Sequence, residues 1–151
     1  MTSPSLAKLQ DELSQPLDQT ALRSVDRAIC ELRRGDPVVV EDTEGGIAVA
    51  LSVEAVSGPA LNRIKVMAGS PAVLAVTRPR AVAIGLESPA SPVVKLALGA
   101  GLTAEVIHDL VDPTRSSVPG AETAMTVEPA ELETREGAAV ALAKLARLLP
   151  A

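Results

Sequence analysis

The stretch from Leu22 to Glu54 constrains the fold more than any other part of the chain. Apolar residues recur at helical spacing from Leu22 to Leu32, and charged residues fall between them. Gly35 then stands where a helix end favours a residue that tolerates the left-handed conformation, and Pro37 prevents continuation. Two apolar runs follow, separated by an acidic turn: residues 38–40 and 47–53. The pattern predicts a helix followed by two strands.

The rest of the chain alternates between helical and strand patterns. Residues 1–20 are predicted to be a flexible leader, and residues 21–151 a single domain. Within that domain, apolar runs predict strands, with a break at residues 78–80, and periodic segments that have caps and stops predict helices. The apolar runs are 72–77, 81–86, 93–98 and 124–127, and the helices are 57–69, 103–112 and 134–149. The predicted class is α/β (α+β), with a mixed sheet flanked by helices.

Composition supports this class and excludes several functions. The chain of 151 residues has no Phe, Tyr or Trp, so its core must be built from small aliphatic side chains, as in a sheet covered by helices. A net charge of −5, with scattered basic residues and no aromatics for stacking, argues against a nucleic-acid partner. One Cys and one His cannot form a disulfide or a soft-metal site within the chain. No signal peptide and no apolar run of about 20 residues is present, which predicts a cytoplasmic protein without membrane contact.

Two groups of polar residues are candidates for a ligand site. Glu41, Asp42 and Glu44 could bind a divalent cation, although their position beside Gly45-Gly46 favours a solvated hairpin turn. Arg78 and Arg80 could hold a phosphate, although flanking a proline between apolar runs favours exposed loop charges. His108 and Cys30 are each without a recognisable partner, which favours ordinary surface or packed positions over catalysis.

Three stretches carry a resemblance to a known family. They are the helix, turn and strand at residues 28–42 (AICELRRGDPVVVED), the segment from Gly101 to Pro113, and the helix at residues 138–146 (AAVALAKLA). In this order along the chain, they resemble the 3,4-dihydroxy-2-butanone 4-phosphate synthases of riboflavin biosynthesis, over roughly residues 21–149. The resemblance implies the fold of that family, in a truncated form.

The polar segments of that family are not kept. The family has an acidic loop, Arg-Glu-Asn-Glu-Gly-Asp. The resemblance aligns that loop with the shorter turn 42–46 of this chain, in which Gly46 replaces the closing Asp. The family's Arg-His-Thr-Ser-Gly corresponds to residues 80–84, and only Arg80 remains. Its Pro-Gly-His corresponds to Pro119-Gly120-Ala121, and its Gly-His-Thr-Glu-Ala corresponds to residues 134–138 (TREGA). The resemblance implies a sugar-phosphate rearrangement that needs Mg²⁺, proton shuttles and a phosphate clamp. Most of the family's side chains for these tasks have no counterpart in this chain.

The resemblance leads to two functional hypotheses. A degenerate domain of this kind is similar to the N-terminal part of some GTP cyclohydrolase II polypeptides, whose zinc ligands lie in a downstream half that is absent here. The first hypothesis is a non-catalytic structural domain without cofactor, either a homodimer, as the family implies, or covalently linked to a cyclohydrolase domain. The alternative is a residual Mg²⁺-dependent ribulose 5-phosphate lyase using Glu41, Asp42 and Glu44, or a phosphorylated-ligand binding module using Arg78 and Arg80.

Overall fold

The computed structural model describes residues 19–86, 90–97, 99–101, 103–117 and 125–151. Over these residues the chain forms five α-helices and five strands. The helices are α1 (Gln19–Arg34), α2 (Gly58–Ala68), α3 (Arg78–Ala83), α4 (Ala104–Val111) and α5 (Arg135–Leu145). The strands are β1 (Val38–Glu41), β2 (Ile47–Ala50), β3 (Leu74–Thr77), β4 (Val93–Ala97) and β5 (Thr126–Ala130). Nearly all of the predicted leader, and the Pro119-Gly120-Ala121 segment, lie outside the described residues.

The strands form two small antiparallel sheets. β1 and β2 make a hairpin in which Val38 lies opposite Ala50 and Glu41 lies opposite Ile47. The second sheet has the order β3-β4-β5, and its central strand pairs on both sides. The run 47–53, predicted as one strand, ends at Ala50. The Ser52 side chain accepts a hydrogen bond from the Glu54 backbone N–H and begins a 3₁₀ turn, which leads the chain away from the hairpin. The α/β class is confirmed, with the strands divided between two sheets.

Aliphatic side chains form a large core and a smaller one. The large core lies between the three-stranded sheet, α2, α3 and α4, and its most deeply buried members include Val76, Ile84, Val94, Leu96 and Leu110. The smaller core joins α1, the hairpin and α5 through Leu32, Val38, Val40 and Leu142. Helix α5 also reaches the three-stranded sheet through Val140, which packs with Val93 and Ala130. It therefore connects the two sheets.

The predicted helix signals are confirmed at several positions. Gly35 and Gly69 have φ values of 82° and 63°, the left-handed conformation that a helix end requires. The Ser57, Thr103 and Thr134 side chains each accept a hydrogen bond from a backbone N–H in the first turn of the helix that follows. The local chemistry of these residues therefore determines where α2, α4 and α5 begin.

The prediction for residues 78–86 is wrong. Arg78-Pro79-Arg80 was expected to break one apolar run before another resumed at residue 81, but these residues form the first turn of α3. Proline is compatible with a first helical turn because the N–H that it lacks has no partner there. The spacing of Ala81 and Ile84 then places both side chains in the large core.

The predicted inward face of α1 is only partly buried. Leu32 lies in the smaller core, but Leu22 and Val25 are 46% and 39% exposed. The buried contacts of α1 are confined to its C-terminal half, where Ala28 and Ile29 also pack on the smaller core. Leu145, an apolar residue of α5, is also exposed.

None of the helices in the described part of the chain combines the length and apolar character that crossing a membrane requires.

Candidate functional site

Asp42 organises the acidic turn between β1 and β2. Its Oδ1 atom accepts hydrogen bonds from the backbone N–H groups of Glu44 (3.0 Å) and Gly46 (2.6 Å). Its own N–H donates to the Gly46 carbonyl at 2.9 Å. Glu41 and Glu44 are exposed. Nowhere in the described ranges do three or more His, Cys, Asp or Glu side chains come together in a group that could hold a metal ion.

Arg80 is a structural residue of the α3–α4 contact. Its Nε donates to the Leu110 carbonyl at 2.7 Å, and its Nη1 donates to the Arg115 carbonyl at 2.9 Å. Its Nη2 is buried without a partner among the described residues. Arg78 is exposed, and its backbone N–H donates to the Pro92 carbonyl at 3.0 Å. The guanidinium of Arg80 thus donates to backbone carbonyl groups, whereas Arg78 points to no shared site with it among these contacts.

Helix α4 carries a carboxylate with a lowered pKa at each of its two ends. Hydrogen bonds from the Thr114 side chain and backbone lower the pKa of Asp112, and the cations Arg115 and Arg80 add to the effect. A backbone hydrogen bond and the Thr103 side chain lower the pKa of Glu105 at the start of the same helix. Both carboxylates are solvated and serve turns and caps. His108 lies between them, exposed, and Cys30 on α1 is also exposed.

The first turn of α5 is packed tightly against the segment that precedes it. The Thr134 hydroxyl donates to the Glu131 carbonyl at 2.7 Å and accepts from the Gly137 N–H at 3.2 Å. A Cβ atom on Gly137 would lie only 2.6 Å from both the Cα and the carbonyl oxygen of Leu132. This position therefore has no room for any side chain.

A cleft of about 640 Å³ lies between the hairpin, α2, β3 and α5. Its walls are mainly aliphatic, and its cationic residues are Lys65, Lys95 and Arg135, each on a different element. None of the five residues predicted as ligand candidates lines it. The cleft is not recognisable from the sequence, because its charged residues are far apart along the chain and belong to no motif.

Comparison with solved structures defines the class of fold. The chain is similar to a two-domain 3,4-dihydroxy-2-butanone 4-phosphate synthase from A. baumannii, with a TM-score of 0.57 and 17% sequence identity. The similarity covers 83% of this chain and 45% of that one. This chain therefore has the fold of the 3,4-dihydroxy-2-butanone 4-phosphate synthases, as the sequence resemblance predicted.

Comparison with curated proteins adds a more similar relative. The chain is 44% identical over 139 residues to a GTP cyclohydrolase-2 from Azospirillum brasilense. The match covers 90% of this chain but 35% of the relative, so the chain spans about a third of that protein's length. No family model matches the chain. The structure is thus a synthase-like domain similar in sequence to part of a GTP cyclohydrolase-2.

Proposed function

We propose that this chain is a non-catalytic structural and dimerisation domain of a cytoplasmic riboflavin-biosynthesis protein of the GTP cyclohydrolase II type. Any cyclohydrolase activity would then belong to a separate part of that protein. The fold and the curated relative support the family context. The local structure at two glycines supports the absence of lyase chemistry.

The single observation that carries this proposal is the close packing at Gly137. The family resemblance places a glutamate of the synthases at this position, but the backbone of residues 131 and 132 occupies the space that its side chain would need. Gly46 stands where the family has its closing aspartate, and a side chain at this position also lacks room. A Cβ there would lie 3.0 Å from the Asp42 Cγ. Two substitutions alone would therefore not restore these carboxylates. At residue 137 the backbone would also have to rearrange, and at residue 46 the Asp42 side chain would have to move.

The outer face of the hairpin supports the dimerisation role. Val39 and Ile47 are 67% and 64% exposed. The register places Val39 opposite Val49 on the same face. A two-stranded sheet is marginally stable alone, and exposed aliphatic side chains on it favour contact with another protein surface. We therefore assign Val39 to the surface that a second copy of the chain covers.

A direct assay tests the loss of lyase chemistry. The chain is incubated with ribulose 5-phosphate and Mg²⁺, and formation of 3,4-dihydroxy-2-butanone 4-phosphate is followed, with an active synthase as the positive control. We expect no product above the rate without protein, because no described carboxylate cluster can hold the metal. Product formation that is abolished in Asp42→Asn would overturn the proposal and support the lyase alternative.

Sedimentation velocity tests the dimerisation role. We expect the wild-type chain to sediment as a dimer and Val39→Lys to sediment as a monomer, because a charge at a buried apolar contact is strongly unfavourable. Val82→Lys, at an exposed position on α3, is the matched control and should remain dimeric. A wild-type monomer at all concentrations, or a dimer unaffected by Val39→Lys, contradicts this role.

A further inference from the structure

We propose that the cleft between the hairpin, α2, β3 and α5 binds a small amphipathic organic anion. The ligand class is a straight-chain carboxylate, with its chain inside the cleft and its carboxylate near Lys65 and Arg135. This inference concerns a different property from the proposed function and does not depend on the loss of lyase chemistry. The cleft shares Ile47 and Val49 with the outer face of the hairpin.

The size and lining of the cleft favour an apolar chain. Its volume of about 640 Å³ lies within the range of roughly 300–1,000 Å³ typical of small-molecule sites. The lining includes Val53, Leu61, Leu74 and Val140, all buried members of the cores. Aliphatic walls around an open space gain free energy when an apolar group displaces water from them. An alkyl chain is the simplest occupant that makes this gain.

The interior offers few partners for a ligand rich in hydroxyl groups. Ser52 is the buried polar residue of the lining, and its Oγ already accepts a hydrogen bond from the Glu54 N–H. Hydroxyl groups placed against the aliphatic walls would lose their hydrogen bonds to water without replacement. The cleft therefore suits methylene groups better than a sugar.

The charges of the cleft favour an anion. The lining includes three cationic side chains, Lys65, Lys95 and Arg135, and one acidic side chain, Glu136. Lys95 is already paired, since its Nζ lies 2.6 Å from the Glu128 Oε2. Lys65 makes no ion pair within the described part of the chain, and Arg135 donates a long hydrogen bond, 3.5 Å from its Nη1 to the Ile47 carbonyl. These two cations are therefore available to bind a carboxylate. They contrast with the net charge of the whole protein, which is −5.

Calorimetric titration with three probes tests the ligand class. Decanoate, below its aggregation concentration, carries both an alkyl chain and a carboxylate; acetate lacks the chain, and decyltrimethylammonium reverses the charge. We expect saturable binding of one decanoate per chain and affinities at least about fivefold lower for the other two probes. Absence of saturable decanoate binding, or equal affinity for decyltrimethylammonium, overturns the proposal.

Matched variants test the location. Ala139→Leu places a larger side chain in the cleft and should abolish decanoate binding, whereas Ala141→Leu, at an exposed position on the same helix, should leave it unchanged. Lys65→Gln and Arg135→Gln should each weaken binding about fivefold, whereas Lys144→Gln, outside the cleft, should not. Circular dichroism confirms that each variant is folded. If a folded Ala139→Leu binds decanoate as the wild type does, the cleft is not the site.

Discussion

At the scale of single residues, Gly46 and Gly137 are required for space rather than for backbone freedom. Neither is among the glycines with positive φ, in contrast to Gly35 and Gly69 at the helix ends. Asp42 approaches Gly46, and the backbone at Leu132 approaches Gly137. The sequence shows four similar glycines, but the physical reason for each differs, and only the packed structure separates the two classes.

Gly137→Ala is expected to destabilise the protein by about 2 kcal/mol, because the new methyl group meets backbone atoms that cannot move independently. Urea unfolding measures the change in the free energy of unfolding. Gly58→Ala is the matched control, since a Cβ there meets nothing within 4 Å, and it should be close to neutral. Equal stability of the two variants would show that the first turn of α5 is not packed as described.

The lowered pKa of Asp112 predicts a contribution to stability that depends on pH. A carboxyl group that ionises more readily in the folded state contributes stability above its ordinary pKa and loses it as pH falls through the folded value. The free energy of unfolding of the wild type should therefore decrease more steeply between about pH 5 and about pH 3 than that of Asp112→Asn. Thr114→Val removes the largest cause of the lowered pKa. Its free energy of unfolding should therefore decrease less steeply with falling pH than that of the wild type, as for Asp112→Asn. Identical slopes in all three proteins contradict the assignment.

At the scale of elements, two arginines hold helix C-termini in place. Arg80 binds the Leu110 carbonyl near the end of α4, and Arg33 binds the Ala146 carbonyl just after α5, at 2.8 Å. The last carbonyl groups of a helix lack partners within the helix and carry partial negative charge. A guanidinium satisfies them and also fixes the neighbouring element, so each arginine joins two helices.

Arg80→Met is expected to destabilise the protein by about 2 kcal/mol, because it leaves the partly buried Leu110 carbonyl and the exposed Arg115 carbonyl without their charged donor. Arg80→Lys should recover only part of the loss, since a single ammonium cannot reproduce the fork of a guanidinium. Arg78→Met is the control and should change the free energy of unfolding little, because Arg78 is exposed. A neutral Arg80→Met would show that the α3–α4 contact does not depend on this side chain.

At the scale of the whole molecule, the two cores differ in size and depth. The large core includes Val76, Val94, Leu96 and Leu110, each with no exposed surface. The smaller core has four buried members around the hairpin, and both of its strands have only one neighbour in the sheet. Local opening of the hairpin therefore breaks fewer buried contacts than opening of the three-stranded sheet.

Amide hydrogen exchange should show this difference. For the amides of Val94 and Leu96 in the central strand β4, we expect an opening free energy close to the global free energy of unfolding. For the amides of Val38 and Val40, we expect an opening free energy roughly 2 kcal/mol lower. Native-state exchange followed by NMR at increasing urea concentration measures both. Equal protection of the hairpin and of β4 would indicate a single cooperative core.

Element boundaries were largely predictable because they depend on local chemistry. Caps at Ser57, Thr103 and Thr134, and stops at Gly35 and Gly69, act within one turn of the chain. The segment at Pro79 was not predictable in the same way, since proline is compatible both with a break and with a first helical turn. Burial of Ala81 and Ile84 decides in favour of the helix.

The candidate ligand residues stay predictions, because a site depends on which distant residues meet. Glu41 and Glu44 are exposed, Asp42 bonds to its own turn, and Arg80 binds backbone. The cleft residues could not be found by motif, since Lys65, Lys95 and Arg135 come together only when α2, β4 and α5 pack.

The sequence by itself determined the order of helices and strands, the family resemblance and the aliphatic nature of the interior, because these depend on local spacing and residue type. Only the tertiary structure decided that the strands divide into two sheets and that α5 joins them. It also decided that the start of α5 has no room for a side chain at residue 137 and that a cationic cleft opens beside it. These features depend on contacts between residues far apart in the chain, which local patterns do not encode.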